Sequence, residues 1–84
     1  MKLTADTITD EQIRELRDAL RADIGRLTPI QPGQRGSYDR MVKLNHESAS
    51  CTVALGEKRA RRGDSRRLAR ARCAEILNAR AEGK

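Results

Sequence analysis

The sequence predicts a small all-α protein, a three-helix arrangement whose second and third helices form a C-terminal hairpin. Apolar side chains recur at steps of three and four residues, no segment alternates between apolar and polar residues as a strand would, and both prolines lie in one short segment. The 84 residues suffice for a single domain. We expect order from about residue 8 to residue 81, with frayed ends.

The core predicted from the composition is built from aliphatic and small side chains. The chain has one tyrosine, Tyr38, and neither phenylalanine nor tryptophan, so the side chains that usually bury the largest areas are nearly missing. A short chain with such a core is expected to be marginally stable or to gain stability from a second copy of itself.

The first helix is predicted to run from about Asp10 to Arg26. Thr9 is a suitable N-cap and Gln12 follows three residues later, which is the spacing of a capping box. Ile8 and Ile13 have the spacing of a hydrophobic staple across the same helix start.

A narrow apolar stripe on this first helix is predicted to pack against a partner. Its members recur at steps of three and four residues on an otherwise charged helix. They are Ile13, Leu16, Leu20, Ile24 and Leu27. This stripe is a candidate face for a homodimer.

The second helix is predicted to follow a Pro- and Gly-containing loop over residues 28–37, with Ser37 as its N-cap. The side chains expected to face inward are Tyr38, Met41, Val42, Ala49 and Val53, with Leu44, Cys51 and Leu55 as weaker candidates. The helix is predicted to end either at Gly56 or near Arg62, before Gly63.

The third helix is predicted to start at about Ser65 and to end at about Ala81. Its expected buried residues are Leu68, Ala69, Cys73, Ile76 and Leu77. If the turn of the hairpin lies near Gly63, Cys51 and Cys73 are nearly level on the two antiparallel helices and could touch. Two interpretations remain open for this pair: a redox-sensitive clasp, or two small buried apolar side chains.

The sequence contains no pattern that indicates an enzyme, a metal site or a membrane protein. The spacing of the two cysteines is not that of a metal site, and His46 is the only histidine, with no recognisable catalytic partner. No apolar stretch approaches the roughly 20 residues of a membrane span. We therefore expect no catalytic residue, no metal, no cofactor and no membrane contact, in a cytoplasmic protein with reduced thiols.

The positive charge is concentrated in residues 58–72. Eight of these fifteen residues are basic and one is acidic, whereas the rest of the chain is close to neutral within a net charge of +6. The basic residues are Lys58, Arg59, Arg61, Arg62, Arg66, Arg67, Arg70 and Arg72. Arginine donates two hydrogen bonds at once to a phosphate, so this basic segment is a candidate surface for the backbone of DNA or RNA.

Three interpretations of the basic segment remain open. It can be a solvated arginine-rich face, a surface for nucleic acid, or a surface for an acidic host protein or nucleoprotein. No aromatic residue lies near it to stack on bases, and the predicted tight hairpin is unlike a helix-turn-helix. Our leading expectation is a non-catalytic accessory nucleic-acid binder, and the alternative is a protein that inhibits or modulates a host protein by direct binding.

The stretches "TITDEQIRELRDAL" and "RRLARARCAEILNARA" resemble short bacterial and phage or prophage proteins. Those proteins begin with an "ITDEQIR-LR" helix and end with an Arg- and Ala-rich helix that carries one cysteine. The resemblance covers about 30 residues and implies a mobile-element origin and an all-helical fold. It implies no functional residue, although small mobile-element proteins commonly act by binding DNA, RNA or a host protein.

Overall fold

The computed structural model describes residues 2–27, 33, 35–59 and 65–83. The helices within these residues are α1 (Asp10–Leu27), α2 (Arg35–Ala54) and α3 (Arg66–Glu82). This described part of the chain contains no strand, so the all-α prediction is confirmed. The predicted alternative turn at Gly63 lies outside the described residues, as does most of the predicted loop over residues 28–37.

The start of α1 follows the predicted capping box. The Thr9 amide donates to Gln12 Oε1 at 2.9 Å, and the Gln12 amide donates back to Thr9 Oγ1 at 3.1 Å. Ile8 and Ile13 are both buried on either side of this cap. The two exchanged hydrogen bonds satisfy amides that lack a helical partner, which explains why the helix begins at Asp10.

The apolar stripe of α1 belongs to the core of the single chain. Ile13, Leu16 and Leu20 are almost fully buried, while Ile24 and Leu27 pack against the core and are partly buried. The prediction that this stripe is an exposed homodimer face is therefore wrong, because α2 covers it within the same molecule. The core consists of Ile8, Ile13, Leu16, Leu20, Leu44, Cys51, Ala54, Ala69, Cys73 and Ala74.

The second helix begins earlier than predicted, at Arg35 rather than after Ser37. Its buried residues are Leu44, Cys51 and Ala54, and the predicted inward positions Tyr38 and Ala49 are exposed. At about 100° per residue, these two side chains lie more than 100° around the helix from Leu44. The weak apolar periodicity of this segment did not predict which face packs inward.

The end of α2 is set by Gly56, one of the two predicted stops. Gly56 has a positive φ of 77°, its amide donates to the Val53 carbonyl at 2.9 Å, and the Glu57 amide donates to the Thr52 carbonyl at 3.1 Å. These two bonds form a Schellman motif, in which glycine tolerates the left-handed conformation that other residues avoid.

The third helix packs antiparallel to α2, which confirms the predicted hairpin. Ser65 is the N-cap, and its hydroxyl accepts from the Leu68 amide at 3.1 Å. The α3 side chains at Ala69, Cys73 and Ala74 are buried, but Leu68 is 40% exposed, contrary to prediction. Small residues at the interface let the two helices lie close together.

The residues before α1 lie against α3 instead of fraying as expected. The Leu3 amide donates to Asn78 Oδ1, and Asn78 Nδ2 donates to the Leu3 carbonyl, each at 2.9 Å. Thr4 and Thr7 close a turn in which the Thr4 amide donates to Thr7 Oγ1 at 2.8 Å. The segment over residues 2–9 thus covers one side of α3.

Candidate functional site

The predicted basic residues divide into two groups on different sides of α3. Arg61 and Arg62 lie outside the described residues. Of the other six, Arg66, Arg67 and Arg70 hold neighbouring segments of the chain, and Lys58, Arg59 and Arg72 line a groove between the end of α2 and α3.

Arg66 holds the end of α2. Its Nε donates to the Ala54 carbonyl at 2.8 Å, and its guanidinium lies over Gly56. A cation at the C-terminus of a helix satisfies a carbonyl that has no helical partner and complements the helix dipole. Arg66 therefore has a structural role at the base of the hairpin, and its predicted role in phosphate binding stays a prediction.

Arg70 holds the residues before α1. Its Nη1 donates to Asp10 Oδ1 at 2.7 Å, its Nε donates to the Ala5 carbonyl at 3.2 Å, and its Nη2 donates to the Ile8 carbonyl. Its side chain is only 20% exposed. Hydrogen bonding from Arg70 lowers the pKa of Asp10 below its usual value of 3.8. Arg70 is thus mostly buried, although the sequence analysis placed it on the predicted binding surface.

Arg67 pairs with Asp6 across the same boundary. Its two terminal nitrogens donate to the two carboxylate oxygens of Asp6 at 2.7 and 3.2 Å. This bidentate hydrogen bonding lowers the pKa of Asp6 and raises that of Arg67. Both side chains are about 70% exposed (72% and 69%), so water and salt screen the pair. Arg66 and Arg67 are both exposed, whereas Arg70 is not.

The second group surrounds a groove on the outer side of the hairpin. We call it the basic groove; it has a volume of about 140 Å³ and is lined by His46, Ala49, Ser50, Val53, Lys58, Arg59, Ala69 and Arg72. Lys58 and Arg59 follow the end of α2 at Gly56 and lie beside α3 at the groove. Arg72 lies about 140° around α3 from Arg67, at about 100° per residue, so it faces away from the segment before α1.

Glu57, which lies next to this groove, pairs with a residue of α1. Glu57 immediately precedes Lys58, but its carboxylate accepts from Arg17 Nη1 of α1 at 2.8 Å. Hydrogen bonding from Arg17 lowers the pKa of Glu57, so this carboxylate is charged and directed toward α1. Because Glu57 is paired with Arg17, it offsets little of the positive potential around the basic groove.

The residues that determine this charge distribution were missed by sequence reasoning. They are Asp6, Asp10, Arg17, Glu57 and Asn78, and each contacts a residue at least 40 positions away. No local pattern indicates such pairs. The one available signal was that acidic residues precede α1 and basic residues open α3.

The described residues contain neither a candidate metal site nor a membrane-spanning helix. Within them, no group of three or more His, Cys, Asp or Glu side chains could hold a metal ion. None of the helices found there is both long and apolar enough to cross a bilayer. Comparison with protein-family models, with curated proteins and with solved structures finds no match to this chain.

Proposed function

We propose that this chain is a small non-catalytic binding protein that contacts the phosphate backbone of DNA or RNA through the basic groove. The observation that carries the proposal is the convergence of Lys58, Arg59 and Arg72 from two elements on one surface. Lysine and arginine beside a shallow groove can contact successive phosphates, and arginine can do so with two hydrogen bonds.

Binding of this kind would be weakly sequence-specific. The only aromatic side chain, Tyr38, lies near the start of α2, 20 residues before Lys58, and is not among the groove residues. No Tyr, Phe or Trp side chain is therefore available at the groove to stack on bases, and phosphate contacts position a protein without reading sequence. Duplexes of unrelated sequence should bind with similar affinity.

A salt titration tests the proposal directly. Binding to a fluorescent DNA duplex and to single-stranded RNA is followed by anisotropy at several salt concentrations. Each phosphate contact on duplex DNA contributes a slope of about −0.9 in log K against log salt, so three cations predict a slope of about −2.7. Absence of binding at low salt, or a slope near zero, would exclude phosphate contact.

A matched pair of double variants assigns the binding to the groove. Lys58→Gln with Arg59→Gln removes two charges from the groove, and Arg14→Gln with Arg21→Gln removes two exposed charges from α1. The groove variant should make the slope less negative by about 1.8, since two phosphate contacts are lost. If both variants weaken binding equally, net charge rather than the groove is responsible.

An acidic host protein is the second candidate partner. The observation that favours it is Tyr38, which is 55% exposed on α2, because exposed aromatic side chains often anchor protein interfaces. This function predicts one-to-one binding to a single protein and little affinity for nucleic acid. Tyr38→Ala should then weaken the complex as much as loss of Lys58 and Arg59.

A further inference from the structure

The only two thiols of the chain face each other inside the helical hairpin. Cys51 of α2 and Cys73 of α3 are both fully buried, and their Sγ atoms are 3.6 Å apart. Neither is bonded to another cysteine. The predicted contact between them is therefore confirmed, and the question becomes what the pair can do.

The surrounding interface brings the two helices close enough for a covalent link. Ala54, Ala69 and Ala74 are buried within about one helical turn of the two cysteines in sequence, and all three have small side chains. A disulfide needs the sulfurs at about 2.05 Å, which is roughly 1.5 Å closer than they lie now. Side-chain rotation and a small approach of the helices supply such a change.

We propose that Cys51 and Cys73 are a modification site, at which a small disulfide such as oxidised glutathione introduces a reversible covalent link between α2 and α3. The inference stands apart from nucleic-acid binding, since it depends only on the hairpin. Two thiol–disulfide exchange steps form the covalent link. The thiolate of one cysteine attacks a glutathione sulfur and releases one glutathione thiolate. The thiolate of the other cysteine then attacks the resulting mixed disulfide and releases the second, so two protein thiols are oxidised and one glutathione disulfide is reduced.

The surroundings of the two thiols shift their pKa values in opposite directions. Hydrogen bonding with Cys51 lowers the pKa of Cys73, burial opposes this, and the Arg70 guanidinium one turn away also lowers it. The same hydrogen bond, together with burial, raises the pKa of Cys51. The thiolate is the reactive form, and whichever cysteine attacks first, the other resolves the mixed disulfide.

The link would close a loop that contains the whole basic segment. Residues 51 to 73 span the end of α2, the turn after Gly56 and the start of α3. Closing a loop of about 20 residues restricts the unfolded chain, so the oxidised protein should melt about 10 °C or more above the reduced protein. Since both thiols are buried, exchange requires transient opening of the hairpin and should be slow.

The test compares the folded and the unfolded chain in the same glutathione redox buffers. The full chain is equilibrated with reduced and oxidised glutathione, with and without concentrated urea, then quenched by acid and alkylated. Mass spectrometry then counts the alkylated thiols, which are those that were still reduced. The folded chain should be half oxidised at a ratio [GSH]²/[GSSG] about 100-fold higher than the chain in urea, because native proximity favours the disulfide. Equal ratios in the two conditions would overturn the proposal.

Single cysteine variants test whether the disulfide joins Cys51 to Cys73. Cys51→Ser and Cys73→Ser should stop at a mixed disulfide with glutathione, whereas the wild-type monomer should lose two hydrogens and recover them with dithiothreitol. Disulfide-linked dimers of the wild type, in place of the internal bond, would contradict the inference. If a variant fails to fold, the comparison of folded and urea-treated wild-type chains decides the question alone.

Discussion

Arg70 of α3 donates from Nη1 to the carboxylate of Asp10, the first residue of α1, at 2.7 Å. The same guanidinium reaches the carbonyls of Ala5 and Ile8, which precede that helix. One side chain therefore joins the third helix to the start of the first, although the two helices contact each other far less than either contacts α2. A residue that the sequence assigns to a binding surface instead stabilises the fold.

Replacement of Arg70 should destabilise the protein measurably. Arg70→Ala leaves two carbonyls and one carboxylate without their charged donor, and hydrogen bonds to charged groups are worth about 1.5–3 kcal/mol. Urea denaturation should show a loss of free energy of unfolding of that size. Arg70→Lys should recover only part of it, since an ammonium cannot match the planar fork. Arg67→Ala, at an exposed pair, should cost less; an equal loss would contradict the special role of Arg70.

Acid should weaken the attachment of the residues before α1. Asp6 and Asp10 both have pKa values lowered from 3.8 by their arginine partners, so they are charged in the folded protein at neutral pH. A carboxylate with a lowered pKa stabilises the fold above its unfolded value and loses that contribution as pH falls through the folded value. Thermal unfolding followed by circular dichroism should therefore show Tm falling below about pH 4.

Asparagine substitutions isolate this contribution from other acidic groups. The double variant Asp6→Asn, Asp10→Asn should start from a lower Tm at neutral pH and show a shallower decline in acid. Glu57, whose pKa is also lowered, should account for part of the remaining dependence. A double variant with the same acid profile as wild type would show that these pairs contribute nothing.

Glycine substitutions should have opposite effects at two positions. Gly56→Ala forces alanine into a φ of 77° and should cost about 1 kcal/mol of unfolding free energy. An added Cβ there would lie 3.5 Å from the Arg66 guanidinium, an ordinary contact, so the cost comes from the backbone. Gly25→Ala in α1 meets no atom within 4 Å and should stabilise by up to about 1 kcal/mol. Chemical denaturation of both variants checks the two signs.

Truncation of the α1 stripe should destabilise the monomer. Leu20 is fully buried, so Leu20→Ala should cost about 2–5 kcal/mol. Leu68→Ala, at an exposed leucine of α3, provides a control that should change stability much less. If the stripe serves the core of one chain, Tm should not depend on protein concentration. A Tm that rises with concentration would instead indicate that a second copy stabilises the fold.

The features that could be predicted from the sequence are those set by neighbours within a few residues. The capping box of Thr9 and Gln12, the start of α3 at about Ser65 and the stop at Gly56 all depend on hydrogen bonds within one turn. The facing of Cys51 and Cys73 was also predictable, because an antiparallel hairpin places residues at equal distances from its turn side by side. The inward face of α2 was not, because its apolar residues occupy too many sides of the helix.

The groups with which the arginines pair could not be predicted, because those partners are distant in sequence. Asp6 and Arg67 are 61 positions apart, and Leu3 and Asn78 are 75 apart. Opposite charges on separate segments can pair in many combinations, and only the packing of α1 and α3 against α2 brings one combination within hydrogen-bond distance. The basic groove itself exists because Lys58 and Arg59 follow the turn at Gly56.

By itself the sequence determined the all-α fold class, the starts of α1 and α3, and the segment that carries the positive charge, since each depends on local hydrogen bonds, apolar spacing or composition. The tertiary structure decided that the α1 stripe is core and that Arg66 and Arg70 stabilise the fold. It also decided which cations, Lys58, Arg59 and Arg72, surround a groove. The physical reason is range: caps and periodicity act within one or two helical turns, whereas burial and ion pairing depend on which surfaces the fold brings together.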